Sequence, residues 1–388
     1  MSSLQGLKVV EFCEIAAGPF CAMLLADMGA EVVKVERPAG DAMRMWPPVT
    51  DGFSENFASV NRNKRSVVLD LKTEDGRRAA RAIILDSDVV VENFRPGVMA
   101  RLGLDYETMA AEKPGLIYCS ISAFGQSGPR SREGGFDLTM QAMSGIMSVT
   151  GEPGGAPVKC GVPLCDFVAG LYGAFGVVSA LHQRRETGVG QNLDVSMLGT
   201  SLAVAALQTS EFFGTGKDPR KLGSAHPRNA PYQAFRARDG YFGMAAGNNS
   251  LWHQVCDVVG RPELKQDERY LTPTLRAENQ DGLRETLESV FETESVSHWL
   301  SAFAAAGVPC SPINSYSQAL DDPQVAHMGW VQDLTLANGK TTRTFGPPLR
   351  INGETLPIAA RPPALGEHTA EVLKRLDPQT LNAPGPRG

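Results

Sequence analysis

The chain has 388 residues, enough for about two domains around a sizeable core. At 42% hydrophobic and 21% charged it falls outside the disordered and fibrous classes, and a net charge of −6 excludes the basic footprint of a broad nucleic-acid surface. The seven cysteines (Cys13, Cys21, Cys119, Cys160, Cys165, Cys256, Cys310) contain no CxxC and the six histidines no HExxH, so neither a disulfide framework nor a metal site is expected. MSSLQGLKVVEF has no charged leader ahead of an apolar core, and no apolar run approaches the roughly 18 residues of a bilayer span. A cytoplasmic protein without membrane partners is expected.

Through the first 125 residues, β-branched runs alternate with helical stretches, the pattern of a parallel sheet covered by helices. LKVVEF (7–12) reads as a strand and is followed by a helix after Gly18-Pro19. EVVKVE (31–36), SVVLDL (66–71), DVVVEN (88–93) and LIYCSIS (116–122) read as further strands, with helices near 74–85, after 95 and from Asp105 between them. Right-handed crossovers make this a doubly wound, Rossmann-like sheet. Glu36 imitates a ribose-binding acid, but the first turn, EIAAGPFCAM, has one glycine and a proline where a dinucleotide loop needs GxGxxG.

Residues 139–212 are helical in pattern, interrupted by GEPGGAPVKCGVP (151–163) and by a strand at QNLDVSM (191–197). YQAFRARDGYFGMAAG (232–247) reads as a hairpin turning at Asp239-Gly240, followed by helices near 249–259, 275–291 and 295–306. The fold class expected is α/β, with a doubly wound Rossmann-like parallel sheet domain over 1–212 and a smaller α+β domain over 225–330. A return segment over 331–388 carries the helix EHTAEVLKRL back to the first domain.

Within VPLCDFVAGLYGAFGVVSAL (162–181) a single carboxylate, Asp166, heads a long helix that ends at Arg184, Arg185 and a Gly188 C-cap. Two readings are open: an N-cap, for which Asp is well suited, or a desolvated carboxylate nucleophile kept ionised by the helix dipole. Gly170, Gly173 and Gly176 inside the helix cost roughly 1 kcal/mol each against alanine, expected only where another backbone or a ligand must come close. No Glu or Gln stands three positions on, so there is no capping box.

AAGPF, GAEVVKVERP, NRNKRSVVLDLK, VENFRPG with MARLGL, LIYCSISAFGQSGP, GFDLTMQAMSG, GVPLCD, RRETGVGQNLDVSML, GVPCSPI and LGEHT occur in one order along the chain. With these segments the chain resembles the class III CoA-transferase family, the formyl-CoA transferase and carnitine CoA-transferase group, over nearly its whole length. HPRNAPYQAF and AAGNN extend the resemblance to the branch that moves CoA between small dicarboxylic acids such as succinate and glutarate.

The resemblance implies that Asp166 is the nucleophile, passing through an aspartyl anhydride and an aspartyl-CoA thioester. It implies that Ile15, Ala17, Arg37, Leu69, Lys72, Asn93, Phe94, Arg101 and Leu102 cradle coenzyme A, which is a substrate; no tightly bound cofactor is expected. Cations at Arg37, Lys72 and Arg101 suit a diphosphate and a 3′-phosphate. It further implies a homodimer of interlocked rings.

The chain also departs from the pattern. Related racemases carry GHD where this chain has Gly135-Phe136-Asp137, so an acyl-CoA racemase or epimerase lacks its base here. Ala16 replaces a glutamine that touches the acyl intermediate in some members. Phe136, Asp137, His226, Arg228, Tyr232, Gly247 and Asn248 are candidate substrate contacts, Asp137 also being suited to capping its own helix. A non-catalytic CoA-binding protein is the other alternative.

Overall fold

A computed structural model describes residues 2–376. The residues of the return segment beyond 376 lie outside this range. Two compact units are present: one takes in residues up to 146, 159–217 and from 323 onward, the other 147–158 and 218–322. The smaller unit thus also includes the Gly/Pro-rich excursion at 147–158, which local composition alone does not assign to it.

The larger unit is built on six parallel strands: β1 Lys8–Phe12, β2 Glu31–Glu36, β3 Lys64–Val68, β4 Val89–Glu92, β5 Ile117–Ser122 and β6 Asn192–Ser196. Their order in the sheet is β3-β2-β1-β4-β5-β6, a doubly wound arrangement that reverses direction between β1 and β4. Alternation along each strand feeds both faces. Val9, Val89, Val91, Cys119 and Ile121 join one core layer, while Val10, Val33, Val35, Val67, Val90 and Tyr118 join the other.

Helices α1 Ala17–Asp27, α2 Glu74–Asp86, α3 Val98–Leu102 and α4 Tyr106–Glu112 fall near their expected places. Strand β3 starts earlier than expected, at Lys64, because that lysine is buried and paired, its Nζ 3.0 Å from Glu11 and 2.8 Å from the Pro19 carbonyl. The outer edge of β3 is covered by the return segment ahead of α10, Thr369–Arg375: Ser66 N donates to His368 Nδ1 and Val68 N to Thr369 Oγ1. An edge strand is thereby closed to pairing with another chain.

Helix α5, Asp137–Met143, precedes the long helix α6, Leu164–Thr187. By length and composition α6 alone among the described helices could cross a membrane, a correction to the sequence reading. Packing explains one side of it: Cys165, Ala169, Gly170, Gly173, Ala174, Val177 and Ala180 form a buried stripe of small residues against α1 and the sheet, while Leu171, Phe175 and Val178 on the other side are exposed. A Cβ on Gly170 would stand 2.6 Å from Ala17 O and 3.2 Å from Cys21 N, so the glycine permits backbone contact between α6 and α1.

Gly170→Ala is expected to lower the unfolding midpoint. The methyl gains about 1 kcal/mol of helix propensity but presses on main chain that cannot rotate away, at an overpacking cost of about 1–3 kcal/mol. Thermal melting by circular dichroism checks this, and an unchanged or raised midpoint would mean that the two helices separate freely.

The smaller unit contains strands β7 Tyr232–Ala237, β8 Gly240–Ala245 and β9 Cys310–Pro312 in the order β9-β8-β7. Helices α7 Asn249–Val258, α8 Gln280–Phe291 and α9 Val296–Ala305 cover them around an aromatic core of Phe235, Phe242, Phe291, Trp299 and Phe303. The hairpin turns at Arg238-Asp239, one residue earlier than its sequence indicates, because Gly240 is already paired with Ala237 as the first residue of β8.

Candidate active site

In doubly wound sheets, ligands bind beyond the carboxyl ends of the strands where the strand order reverses. Ile15 and Ala17 follow β1, Arg37 follows β2, Leu69 and Lys72 follow β3, Asn93 and Phe94 follow β4, and Arg101 and Leu102 lie on α3 just beyond. All nine therefore stand along this one edge. Arg37, Lys72 and Arg101 are exposed, Leu69 is buried, and Phe94 and Leu102 are half-buried against the core. Arg37 is 3.2 Å from Glu14 and donates to the Gly40 carbonyl, so it is partly neutralised from within.

The Asn93 carboxamide closes on the main chain of Glu14, accepting from its N–H at 3.0 Å and donating to its carbonyl at 2.9 Å. Asn93 thus shapes the β1–α1 turn as well as bordering the edge. Glu92, buried just before it, accepts from Phe94 N at 2.9 Å, and burial pushes its carboxyl up to about 7.

Asp166 is the third residue of α6 and makes no capping bond; Pro163 occupies the cap position without a side-chain acceptor. The N-cap reading is therefore corrected. The acceptor comes instead from α5: Asp137 Oδ1 receives Cys165 N–H at 2.8 Å, while Asp137 Oδ2 receives Gln141 Nε2 at 2.7 Å. Gln141 Oε1 in turn accepts Cys160 N–H at 2.8 Å, so one side-chain chain fixes the approach to α6. Asp137 does not cap its own helix, where Phe136 stands at the cap position and its N–H donates to Thr139 Oγ1. The Phe136 side chain is exposed.

Among the described residues no side chain or main-chain N–H bonds the Asp166 carboxylate, which is half-buried. Burial, and then the neighbouring Asp137 charge, push its carboxyl up to about 7 from the ordinary 3.8. The shift is toward the neutral form, against the expectation that the helix start would keep the group ionised. Asp166 and Gly170 are four residues apart and share a helix face, so Asp166 stands one turn above the contact with Ala17, beside the β1–α1 turn. Phe167 packs on Phe20 at 4.7 Å and fixes this first turn of α6.

The remaining candidates lie in the smaller unit. His226 Nδ1 accepts from the N–H groups of Arg228 and Asn229, both at 3.1 Å, and its ring meets Tyr232 edge-on at 5.0 Å. Burial and Arg228 hold its pKa down, which keeps Nδ1 an acceptor. Asn248 caps α7 by accepting Leu251 N–H at 2.8 Å, and Gly247 allows close approach, since a Cβ there would stand 2.7 Å from Asn229 Cβ.

Arg276, fully buried, ties these pieces together by donating to Ala230 O, Tyr270 O, Gly247 O and Asn249 Oδ1. Sequence reasoning missed it, because one arginine on a short amphipathic helix carries no local sign of burial.

A carboxylate desolvated at a helix start, beside an edge that offers cations and backbone turns, is equipped to handle a charged acyl thioester. The chain belongs to CoA-transferase family III, whose model matches residues 4–369, and it is accordingly an enzyme of CoA transfer. It is 38% identical over 378 residues to a succinyl-CoA:glutarate CoA-transferase of Mus musculus, covering 97% of this chain and 87% of that protein. It is 37% identical over 382 residues to a succinate–glutarate CoA-transferase of Agrobacterium fabrum, covering 96% of each. Its fold matches a CAIB/BAIF family protein from Brucella suis at a TM-score of 0.86 and 39% identity, over 97% of this chain and 100% of that one.

Proposed function

We propose that the enzyme moves CoA from succinyl-CoA, or a similar short acyl-CoA, to a small dicarboxylic acid, with Asp166 as the nucleophile. The observation that carries this reading is the placement of Asp166: desolvated, without a hydrogen bond from the described residues, and beside the turn where the coenzyme edge begins. An Asp166 oxygen attacks the thioester carbonyl, the C–S bond breaks, and CoA leaves as a thiolate. The thiolate attacks the aspartyl carbonyl, and the donor acid departs with the bridging oxygen, leaving an aspartyl-CoA thioester. An acceptor carboxylate reverses both steps and leaves one of its own oxygens on Asp166.

Along the strand edge, Lys72 and Arg101 are assigned to the phosphates of CoA, with Ile15, Ala17, Asn93, Phe94 and Leu102 about the nucleotide and Leu69 behind it. Asp137 holds α6 through Cys165 N–H and, as a nearby anion, tunes Asp166. Transfer rather than racemisation is supported by Phe136, a side chain that takes no proton. The two glutarate-using relatives support a dicarboxylic acceptor. A homodimer is supported by the apolar side chains left exposed on α6, Leu171, Phe175 and Val178, and by Phe213 beyond it.

A panel of acyl-CoAs offered with free carboxylic acids, with CoA exchange followed by mass, tests the assignment. Exchange should be fastest between dicarboxylates, and a preference for monocarboxylates would contradict it. Arg228, exposed beside His226, is assigned to the far carboxylate of the acceptor. Arg228→Ala should raise KM for a dicarboxylate acceptor by about tenfold, the scale of one charged hydrogen bond, and leave KM for succinyl-CoA near its original value. Full activity with dicarboxylates would refute the assignment.

A further inference from the structure

The turn between β1 and α1 is gripped from below by charged side chains that the proposed chemistry does not use. Ile15 adopts φ +70°, a left-handed backbone that β-branched residues rarely enter. Its N–H points to the Asp41 carboxylate, 3.2 and 3.3 Å from the two oxygens. Asp41 is buried, and it also accepts Met43 N–H at 2.9 Å and pairs with Lys34 Nζ at 3.0 Å. Lys34 is fully buried and donates to Cys13 O at 2.7 Å. Lys64, from the neighbouring strand, donates to Pro19 O at 2.8 Å and pairs with Glu11.

Main-chain atoms of Cys13, Glu14, Ile15 and Pro19 are thus each held by a side chain from a different strand or loop. A buried ionic set is a weak source of stability, because desolvation offsets the attraction. What this one does is fix the course of a single turn.

We infer that Asp41 is a positioning residue for acyl-CoA binding, holding the left-handed Ile15 turn in the form that borders the bound coenzyme. The inference rests on the proposed placement of CoA along this strand edge. Asp41 touches no substrate; it acts through the main chain of Ile15. An asparagine keeps one acceptor but lets Lys34 withdraw, so the turn relaxes toward an ordinary backbone. A glycine at 15 takes φ above zero unaided and makes the grip unnecessary.

The test is a double-mutant cycle with succinyl-CoA as the varied substrate. Asp41→Asn should raise its KM about tenfold and leave kcat within about twofold, while in an Ile15→Gly background the same change should move KM less than about twofold. Asp41→Glu retains the charge facing Lys34 but displaces the acceptor, and it should reproduce the KM effect even if the asparagine variant folds poorly. An equal KM effect in both backgrounds, or a loss confined to kcat or thermal stability, overturns the inference. Lys72→Ala measured alongside separates two failures: if it alone raises KM, the role of Asp41 falls and the coenzyme placement stands, and if neither residue moves KM, the placement falls as well.

Discussion

Asp166→Asn should lower kcat by at least about 10³-fold, the scale on which enzymes lose activity when a covalent nucleophile is removed. The amide is close in size, and the carboxylate it replaces makes no protein hydrogen bond among the described residues, so the helix start and the Asp137–Cys165 contact are retained. KM for the acyl-CoA should change little, because the coenzyme edge is untouched. The variant should in fact be the more stable protein at neutral and higher pH. With the folded pKa near 7 against 3.8 for the free side chain, ionisation of Asp166 opposes folding. That penalty is absent below about pH 4, grows between the two values and is complete above 7. The asparagine variant should therefore melt a few degrees higher at pH 8 and at the same temperature as the parent at pH 4. Activity retained within tenfold would remove Asp166 from the chemistry.

The second large effect is on pH dependence. The attacking group must be ionised, so kcat/KM for acyl-CoA should fall as pH drops through about 7, tenfold per unit below it. Asp137 is the second cause of the raised value, after burial. Asp137→Asn should therefore move the falling limb to lower pH without taking it into the ordinary carboxylate range. Glu92 is also held near 7, but it is not a cause of the Asp166 shift, so a limb displaced by Asp137→Asn identifies Asp166 as the titrating group. The same substitution has a structural cost. If the new Oδ1 keeps Cys165 N–H, its Nδ2 faces Gln141 Nε2; the glutamine must then turn and give up Cys160 N–H. Overall activity should fall several-fold while the limb shifts, and a limb that stays in place would show that the two carboxylates do not sense each other.

The strands of the sheet were readable because Val-rich runs at β1, β2 and β4, and the run IYCSIS at β5, are buried on both faces. Strand β3 was read two residues late, since Lys64 looks like a surface residue until its partner Glu11, far upstream, is brought beneath it. The long helix was legible from its apolar spacing and Gly188. Its cap was not, because Asp137 reaches Cys165 N–H across 28 residues, and local spacing cannot show an acceptor delivered from another helix. Glu36, which imitates a ribose-binding acid, is engaged with Arg44, Ser66 and the Asp41 N–H. Of the α6 glycines tied to close approach, Gly170 meets the backbone of α1 and Gly173 the side chains of Cys21 and Ile121, whereas at Gly176 a Cβ would stand in ordinary contact, 3.5 Å from Leu193. Arg276 and the grip of Asp41 and Lys34 on the first turn were invisible for the same reason as Lys64: a buried charge is recognised only by the partners the fold brings to it.

The passage of oxygen through Asp166 is the most direct test of the mechanism. With the acceptor acid labelled in both carboxylate oxygens by oxygen-18, one round of transfer should leave a single labelled oxygen on the side chain of Asp166, read by mass on the peptide that carries it. Turnover of labelled acid into its CoA ester with no label on that peptide would mean that the acyl group crosses without ever being joined to the protein.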